Sequence, residues 1–524
     1  MTKLPLAAAM AAYVFSSPAG ALPLLPAMDQ DSTEPLISGI VQDRQLGVDA
    51  AYALRRRYDP LMFGQQLAAV PVTTFTPPRQ DPPPIAVPSF SANATSEAAR
   101  GPAKSLATPP LTFHGITIYG VIDTAIAYQS HGVALNGDYP TGLEYVVSKN
   151  SGRSRVSLAP NALTQSKIGL RGHEDVSGDL AVVFQVEAQF VPTSGKLVDG
   201  LKAVVDNNGR SLGRQSANGD SSKAGQAFAG MAYAGLSSRR FGTITVGRQL
   251  SLILDDILTY DPMVVSHAFS LIGYQGAAQA GASTEDARLD RSVKYALRHG
   301  NGRLVAMYQF GNANSPATRA YGVDVGRDFP GGSVDVVYSH INDSISASPL
   351  SAAQFEVAPS RSLAASISDN DAVGAFGKYA LSRAVIFAGY ELILYRNPNR
   401  PIEPGARTLG GYLLSFVNNA AYPKTRRLSY AWIGARYTLA SRLVVTGAYY
   451  RSAQNSYGVH ECSSSSSPQC SGHLDAVSAL LDYKAANRVD LYSGAMRSSV
   501  ARGLRSGFAH ASSVDPMIGV RLTF

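Results

Sequence analysis

The sequence has few of the residue types that mark the common functional classes. Only 16% of its 524 residues are charged, and it contains two cysteines and one tryptophan. Its mean hydropathy of −0.02 argues against a bundle of apolar transmembrane helices. The net charge is +8, yet the lysines and arginines are scattered singly, without the basic run or basic helix face that nucleic-acid binding needs. We therefore expect no nucleic-acid partner.

Catalytic and cofactor motifs are also missing from the sequence. It has no Gly-x-Ser-x-Gly, no His-Glu-x-x-His and no Walker loop, and most of its nine histidines lie in predicted loops and turns. We therefore predict that the protein is not an enzyme and has no cofactor and no metal site. A barrel enzyme stays open as an alternative, although no trio of Ser, His and an orienting Asn or acid is visible on neighbouring strand positions.

The first 110 residues differ in composition from the rest of the chain. Lys3 precedes an uncharged stretch rich in Leu and Ala, and the AGA at residues 19–21 is a small-x-small cleavage candidate, so we expect residues 1–21 to be a signal peptide. About half of the 30 prolines lie before residue 111. Residues 22–110 are therefore predicted to be a Pro/Ala-rich, disordered extension.

The stretch DLAVVFQVEAQF at residues 179–190 has the alternation of a β-strand. Its even-numbered residues are all apolar, whereas the opposite side carries Ala181, Val183, Gln185, Glu187 and Gln189. In a soluble sheet the apolar side would meet a second layer, and in a membrane barrel it would meet lipid while the polar side faced water. This strand alone leaves both readings open.

The lengths of the connections favour the barrel. From Leu111 onward, alternating runs of about ten residues, the length that a tilted strand needs to cross a bilayer, follow one another. Short connections, such as 299–302, alternate with long ones, such as 191–226, 251–290 and 341–370. This regular order is typical of outer-membrane barrels, which have short turns at one end and long loops at the other, and a soluble sandwich has no reason to keep it.

The same order determines the strand count. If residues 408–417 form a strand, the later long connection at 451–473 falls at the end of the short turns. Treating 397–426 as one long loop restores the alternation and gives sixteen strands, an even number that lets an antiparallel barrel close. We therefore predict an all-β fold, a sixteen-stranded antiparallel transmembrane β-barrel in residues 111–524, preceded by the Pro-rich N-terminal extension.

Several of these stretches carry a family resemblance, namely ITIYGVIDTAIAY, SKIGLRGHEDVSGDLAVVFQVEAQF, MAYAGLSSRRFGTITVGRQ, RSVKYAL and MIGVRLTF. They resemble the general porins of neisserial and burkholderial type, which are trimeric sixteen-stranded barrels of the Gram-negative outer membrane. The resemblance runs from about residue 113 to Phe524. It implies an outer-membrane channel for passive diffusion of ions and small hydrophilic solutes, surrounded by lipid and assembled as a homotrimer.

The resemblance further implies a charged constriction in the lumen. The third surface loop would be residues 251–290, folded into the barrel, and its acidic residues would face basic residues on the wall. The predicted acidic residues are Asp255, Asp256 and Asp261. By strand alternation the basic wall residues are Lys167, Arg171 and Lys294, together with Arg248, whose orientation depends on the neighbouring Gly247. The excess of positive charge predicts a mild anion preference.

Two further features concern the C-terminal part of the chain. Cys462 and Cys470 bracket a short serine-rich segment in a predicted surface loop, which in an exported protein indicates a disulfide; a metal site with His460 and His473 is the alternative. Phe524 ends a strand of alternating apolar residues, and the resemblance implies that the barrel assembly machinery recognises it. A substrate-specific channel and a soluble β-rich adhesin remain alternatives to the diffusion channel.

Overall fold

The computed structural model describes residues 111–132, 151–198, 200–211, 214–215, 226–272, 288–311, 320–405 and 407–524. The predicted signal peptide (1–21) and N-terminal extension (22–110) lie outside these residues. Within them β-strands are the main secondary structure. The described helices are short, and none has the length and apolar composition that crossing a membrane requires.

The described part of the chain contains strands of 2 to 20 residues. The strands are β1 (Leu111–Phe113), β2 (Ile116–Gln129), β3 (Arg155–Pro160), β4 (Lys167–Ser177), β5 (Leu180–Gln189), β6 (Met231–Ser238), β7 (Gly242–Leu250), β8 (Arg288–His299), β9 (Gly302–Gln309), β10 (Ala320–Phe329), β11 (Gly332–Ser348), β12 (Ser362–Leu381), β13 (Ala384–Arg396), β14 (Thr408–Leu409), β15 (Tyr412–Asn418), β16 (Arg426–Ala440), β17 (Leu443–Gln454), β18 (Gly472–Ala486), β19 (Val489–Arg502) and β20 (Ser512–Thr523). The helices are α1 (Gly200–Asp206), α2 (Leu252–Tyr260) and α3 (Ala352–Val357), and a 3-10 turn covers Gly503–Arg505.

These strands form a closed antiparallel barrel of sixteen wall strands, as predicted. Consecutive wall strands pair with each other, and β2 closes the barrel by pairing with β20 along Val121–Ala127. The strands β3 and β4 pair with the two halves of β2 and together make one wall strand, interrupted at residues 161–166. The short β1 extends the sheet beyond the start of β2.

The loop at residues 397–425 explains why the strand count needed care. It contains the hairpin of β14 and β15, but β13 pairs directly with β16, so the hairpin is not part of the wall. β15 instead pairs in parallel with the beginning of β12. Placing this segment inside a loop was therefore correct, although the segment has strand structure.

The connection between β11 and β12 differs from the prediction. We expected a long loop over residues 341–370, but the two strands continue pairing past a β-bulge at Ile341, from Ser344 opposite Ser368 to Ser348 opposite Ala364. Alternating small and apolar residues let the hairpin extend beyond the wall, because a paired backbone satisfies its own hydrogen bonds.

Side chains alternate between the two faces of the wall. The outward side chains are mostly large and apolar, and many are more than a third exposed, among them Ile118, Ile126, Ile168, Leu170, Leu180, Val182, Val246, Val336, Val477 and Ile518. The inward side chains include most of the buried polar and charged residues, such as Gln185, Glu187 and Lys294. This arrangement, with an apolar belt outside and a polar interior, is that of a barrel in lipid.

Two positions on the outer face of β18 test the lipid contact. Val477 lies near the middle of the strand and is 57% exposed, whereas Tyr483 lies near the short turn and is 44% exposed. We expect Val477→Arg to lower the free energy of unfolding in lipid vesicles by about 2–4 kcal/mol, because arginine is costly at the bilayer midplane, and the matched Tyr483→Arg to cost about 0–1 kcal/mol. Equal losses in denaturant titrations of the two variants would contradict a lipid-facing belt.

Candidate functional site

The third surface loop lies inside the barrel. We call the connection between β7 and β8, residues 251–287, loop 3; its described part is 251–272. It begins with α2, where the Ser251 hydroxyl caps the helix by accepting a hydrogen bond from the Leu254 amide (3.3 Å). Leu252, Ile253 and Ile257 are buried in one apolar cluster with inward residues of the wall. Their burial places the helix against the inner surface of the barrel.

Three consecutive residues at the end of α2 are bonded to the wall. The Trp432 indole donates to the Tyr260 carbonyl (3.0 Å), and the Arg436 guanidinium donates to the Pro262 carbonyl (2.7 Å). Between them, the Tyr450 hydroxyl donates to the Asp261 carboxyl (2.5 Å). We call these contacts to β16 and β17 the loop anchor.

Asp261 also organises the turn that follows the helix. Its carboxyl accepts hydrogen bonds from the amides of Met263 (3.2 Å) and Val265 (2.7 Å). Val264 and Val265 have φ values of 54° and 58°, a left-handed conformation that is costly for β-branched residues. The buried carboxyl stabilises this turn by satisfying amides that would otherwise have no partner.

Loop 3 then crosses to another part of the wall. The Ser266 hydroxyl donates to the Ala162 carbonyl (2.9 Å), and the Ala268 amide donates to the same oxygen (3.0 Å). This contact uses the interruption between β3 and β4, where the backbone leaves the ladder. Phe269 packs edge-on against Tyr492 of β19, with ring centroids 6.3 Å apart. The loop therefore narrows the lumen between these points of attachment.

Three of the predicted basic residues lie on the lumen wall. Lys167 forms an ion pair with Oε2 of Glu187 (2.9 Å), and the Tyr119 hydroxyl donates a hydrogen bond to the same oxygen (3.0 Å). Arg171 lies over the Tyr119 ring, with its guanidinium carbon 5.6 Å from the centroid. Lys294 forms an ion pair with Asp255 of loop 3 (2.6 Å). The wall charge thus meets carboxylates both on the wall and on the loop.

Arg248 lies apart from these three residues, contrary to the prediction. The strand register places it opposite Ala232, which pairs with Val186 on the outer face. Its guanidinium donates to the Ala229 carbonyl (2.9 Å) and to the Asp290 carboxylate (2.6 Å). We therefore do not include Arg248 in the lumen wall.

A β-bulge lies next to Arg248. Gly247 pairs with Ser292, but Gln249 pairs with Leu289, so two residues of β8 lie opposite one residue of β7. Arg291 takes the extra position, with a φ of 52°. Gly247 itself has a φ of 137°, which a side chain rarely adopts. The register with β6 continues unbroken through Gly247, so Arg248 keeps the outer face of Val246, and only β8 carries the extra residue.

The three predicted acidic residues all contact the wall against which loop 3 packs. Asp255 is bound to Lys294, and Asp261 belongs to the loop anchor. Asp256 is 5% exposed and lies with Asp324 and Asp335 in a group of three carboxyls. Burial raises the pKa of all three loop carboxyls, and for Asp256 the two neighbouring carboxylates raise it further. Their contacts attach loop 3 to the wall.

Most of the wall residues that contact loop 3 were not predicted from the sequence. Trp432 and Tyr450 are opposite each other in the ladder and both point inward. The only tryptophan of the chain could have indicated them, because it occupies an inward strand position. A large apolar ring is unexpected in a water-filled lumen and indicates that something packs against it. Arg521, paired with Asp482 and Asp490 at 3.0 Å each, was also missed.

The other two predicted sites lie away from the lumen constriction. Cys462 and Cys470 are joined by a disulfide in the loop between β17 and β18. The Phe524 backbone exchanges two hydrogen bonds with Gly120, which extends the closing ladder, and its ring lies over that glycine. A side chain at position 120 would collide with the ring. Recognition of Phe524 by the assembly machinery stays a prediction.

Comparisons with known proteins agree with this architecture. Residues 85–501 match the family model described as Gram-negative porin; the match begins within the predicted extension. The chain is 25% identical over 230 residues to an outer membrane porin protein of Bordetella pertussis strain Tohama I, an alignment that covers 40% of this chain and 56% of that protein. The chain thus aligns with little more than half the length of this relative.

A solved structure shares the fold. The anion-selective porin from Comamonas acidovorans superposes with a TM-score of 0.51 at 17% sequence identity, covering 78% of this chain and 99% of that one. The family match spans most of the chain, and the closed sixteen-stranded barrel with an inward third loop is present in the described residues. The chain therefore belongs to the Gram-negative porin family and is an outer-membrane porin.

Proposed function

We propose that this porin forms a water-filled channel for passive diffusion of ions and small hydrophilic solutes, and that loop 3 sets its width. The observation that carries the proposal is the loop anchor, which holds an internal loop against the wall of a closed barrel through Trp432, Arg436 and Tyr450. A rigid obstruction of this kind sorts solutes by size. Passage requires no chemical step, and we propose no enzymatic activity.

We further propose that the constriction filters by charge with a mild anion preference. Lys167, Arg171 and Lys294 lie on the wall near loop 3, and Arg288 interacts electrostatically with both Glu187 and Asp255. Lys167 and Arg288 therefore act on Glu187, Lys294 and Arg288 act on Asp255, and Arg171 adds a fourth positive charge over the Tyr119 ring. In a narrow passage with low-dielectric walls such an excess raises the local concentration of anions.

The proposed assembly is a homotrimer in outer-membrane lipid, inserted by the barrel assembly machinery. The apolar belt on the outer wall suits contact with lipid. A subunit interface on part of this belt would need the same apolar side chains, so the belt is compatible with a trimer. Ions and small hydrophilic solutes are the proposed partners of the lumen.

Recording of the refolded protein in planar lipid bilayers tests these proposals together. We expect conductance steps in groups of three. In a salt gradient we expect a reversal potential whose sign indicates that anions are more permeant than cations. Steps of one unit would overturn the trimer, a reversal potential on the cation side would overturn the charge preference, and the lack of any conductance would overturn the channel.

A further inference from the structure

A group of three buried carboxyls joins loop 3 to the wall. Asp256 comes from α2, whereas Asp324 and Asp335 come from the adjacent wall strands β10 and β11. The three are 5%, 7% and 5% exposed, and one carboxylate oxygen of each lies within 4.8 Å of the corresponding oxygens of the other two. Carboxylates brought together from three elements at this depth repel each other unless something neutralises them.

Protein cations near the group supply only part of that neutralisation. Arg303 donates to both oxygens of Asp335 (2.7 and 2.8 Å). Lys294 is bound to Asp255 (2.6 Å), and Lys378 interacts electrostatically with Asp335 but lies over the Tyr260 ring, 5.5 Å from its centroid. Arg303, which is also paired with Asp328, is the only cation of the described residues that forms an ion pair with any of the three carboxylates. Counted with that one guanidinium, the three carboxylates have an excess of two negative charges, which is the charge that one divalent cation would balance.

The hydrogen bonding of the group points in the same direction. Oδ2 of Asp256 and Oδ1 of Asp324 are buried and have no hydrogen-bond partner among the described residues. Unpartnered carboxylate oxygens are expensive in a buried site, and the great majority of buried polar atoms have partners. Both oxygens belong to side chains that are more than nine-tenths buried, and both side chains belong to the group.

The distances suit an oxygen-binding metal ion. Calcium binds oxygen ligands at about 2.3–2.6 Å, so two of its ligands can be up to roughly 5 Å apart, whereas magnesium binds at about 2.0–2.1 Å and needs a tighter set. The spacing of at most 4.8 Å therefore fits calcium without rearrangement. The Tyr260 hydroxyl, which contacts Asp335 and Ser333, lies beside the group.

We propose that Asp256, Asp324 and Asp335 bind one divalent cation, best matched by Ca²⁺, which ties loop 3 to the barrel wall. Such an ion replaces the repulsion between loop and wall by a shared bond and holds α2 in place. Sequence reasoning had no signal for this site, because the three residues are far apart in the chain and belong to no contiguous metal-binding motif. The proposal does not depend on the anion preference.

Direct binding tests the proposal on refolded protein free of lipopolysaccharide, stripped with a chelator. Tb³⁺ replaces Ca²⁺ as a luminescent probe that Tyr260, in contact with Asp335, can sensitise. We expect saturable Tb³⁺ emission with one ion per subunit, displaced by Ca²⁺. Asp256→Asn and Asp324→Asn should each weaken Ca²⁺ binding at least tenfold, whereas Asp515→Asn, a buried carboxyl bonded to Ser513, should leave it unchanged.

A second readout reports on the loop itself. Trp432 is the only tryptophan and is bonded to loop 3, so its fluorescence follows the position of the loop. We expect Ca²⁺ to change this fluorescence in the parent protein and in Asp515→Asn but not in Asp256→Asn. Absence of saturable binding, or equal binding by all variants, overturns the proposal. A fluorescence change that depends on pH but not on Ca²⁺ or chelator also overturns the proposal, because protons rather than a metal ion would then neutralise the carboxyls.

Discussion

Replacing Asp261 with alanine is expected to release loop 3 and to widen the channel. The change removes the acceptor for the Tyr450 hydroxyl and for the amides of Met263 and Val265. Each buried donor left without a partner costs about 1–3 kcal/mol. A loss of even about 3 kcal/mol shifts the ratio of attached to released loop by roughly 100-fold.

The released loop should be visible in single-channel records. We expect Asp261→Ala to have a larger mean conductance, greater current noise and a higher size limit for neutral solutes in liposome swelling. Asp261→Asn keeps an acceptor oxygen without the charge and should be intermediate. Tyr450→Phe removes one hydrogen bond and keeps the ring, so its effect should be the smallest of the three. Conductance and size limit equal to those of the parent in Asp261→Ala would show that the loop anchor does not set the width.

Removal of Glu187 and removal of Lys167, the two partners of one ion pair, are expected to shift ion selectivity in opposite directions. The ion pair joins two inward side chains at 2.9 Å, and their side chains are only 12% and 1% exposed. Glu187→Gln leaves Lys167 near Arg171 without its carboxylate, so the permeability ratio should shift several-fold towards anions. Lys167→Gln leaves Glu187 without its cation, so the ratio should shift towards cations.

Measured reversal potentials in a salt gradient check this prediction. A matched control is Asp179→Asn, because Asp179 lies in the short turn after β4, bonded to Ser238 and outside the lumen constriction. The permeability ratios of the two lumen variants should also become more similar at high ionic strength, since salt screens charges in water. Shifts of the same sign in both variants, or no shift in either, would contradict a selective role for the pair.

The barrel itself could be predicted from local patterns. Alternation along residues 180–189 assigned Leu180 and Val182 to one face and Glu187 to the other, and the structure has them on those faces. This works because successive strand residues point to opposite faces and because one face must be apolar against lipid. The regular order of short and long connections then determined the number of strands, since an antiparallel barrel must return to its starting end.

Local patterns failed where the ladder is irregular or the chain leaves it. Arg248 was assigned to the lumen across Gly247, although it lies two residues after the outward Val246 and keeps that face in the ladder with β6; the extra residue of the bulge is Arg291 of β8. The extended hairpin of β11 and β12 was assigned to a loop, because paired strands beyond the membrane need no apolar face and so carry no belt pattern. Both are cases in which backbone hydrogen bonding, rather than side-chain type, determines the path.

The amino-acid pattern was sufficient for the closed barrel, its inside and outside, and the family to which the chain belongs. The contacts of each acidic residue in loop 3 were decided by the tertiary structure, because their partners lie on strands far away in the chain. These contacts are Asp255 with Lys294, Asp256 with Asp324 and Asp335, and Asp261 with Tyr450. A strand's two faces are local properties, which its own sequence records. A partner across the lumen is brought close only by closure of the barrel and by the path of the loop, so no local pattern encodes it.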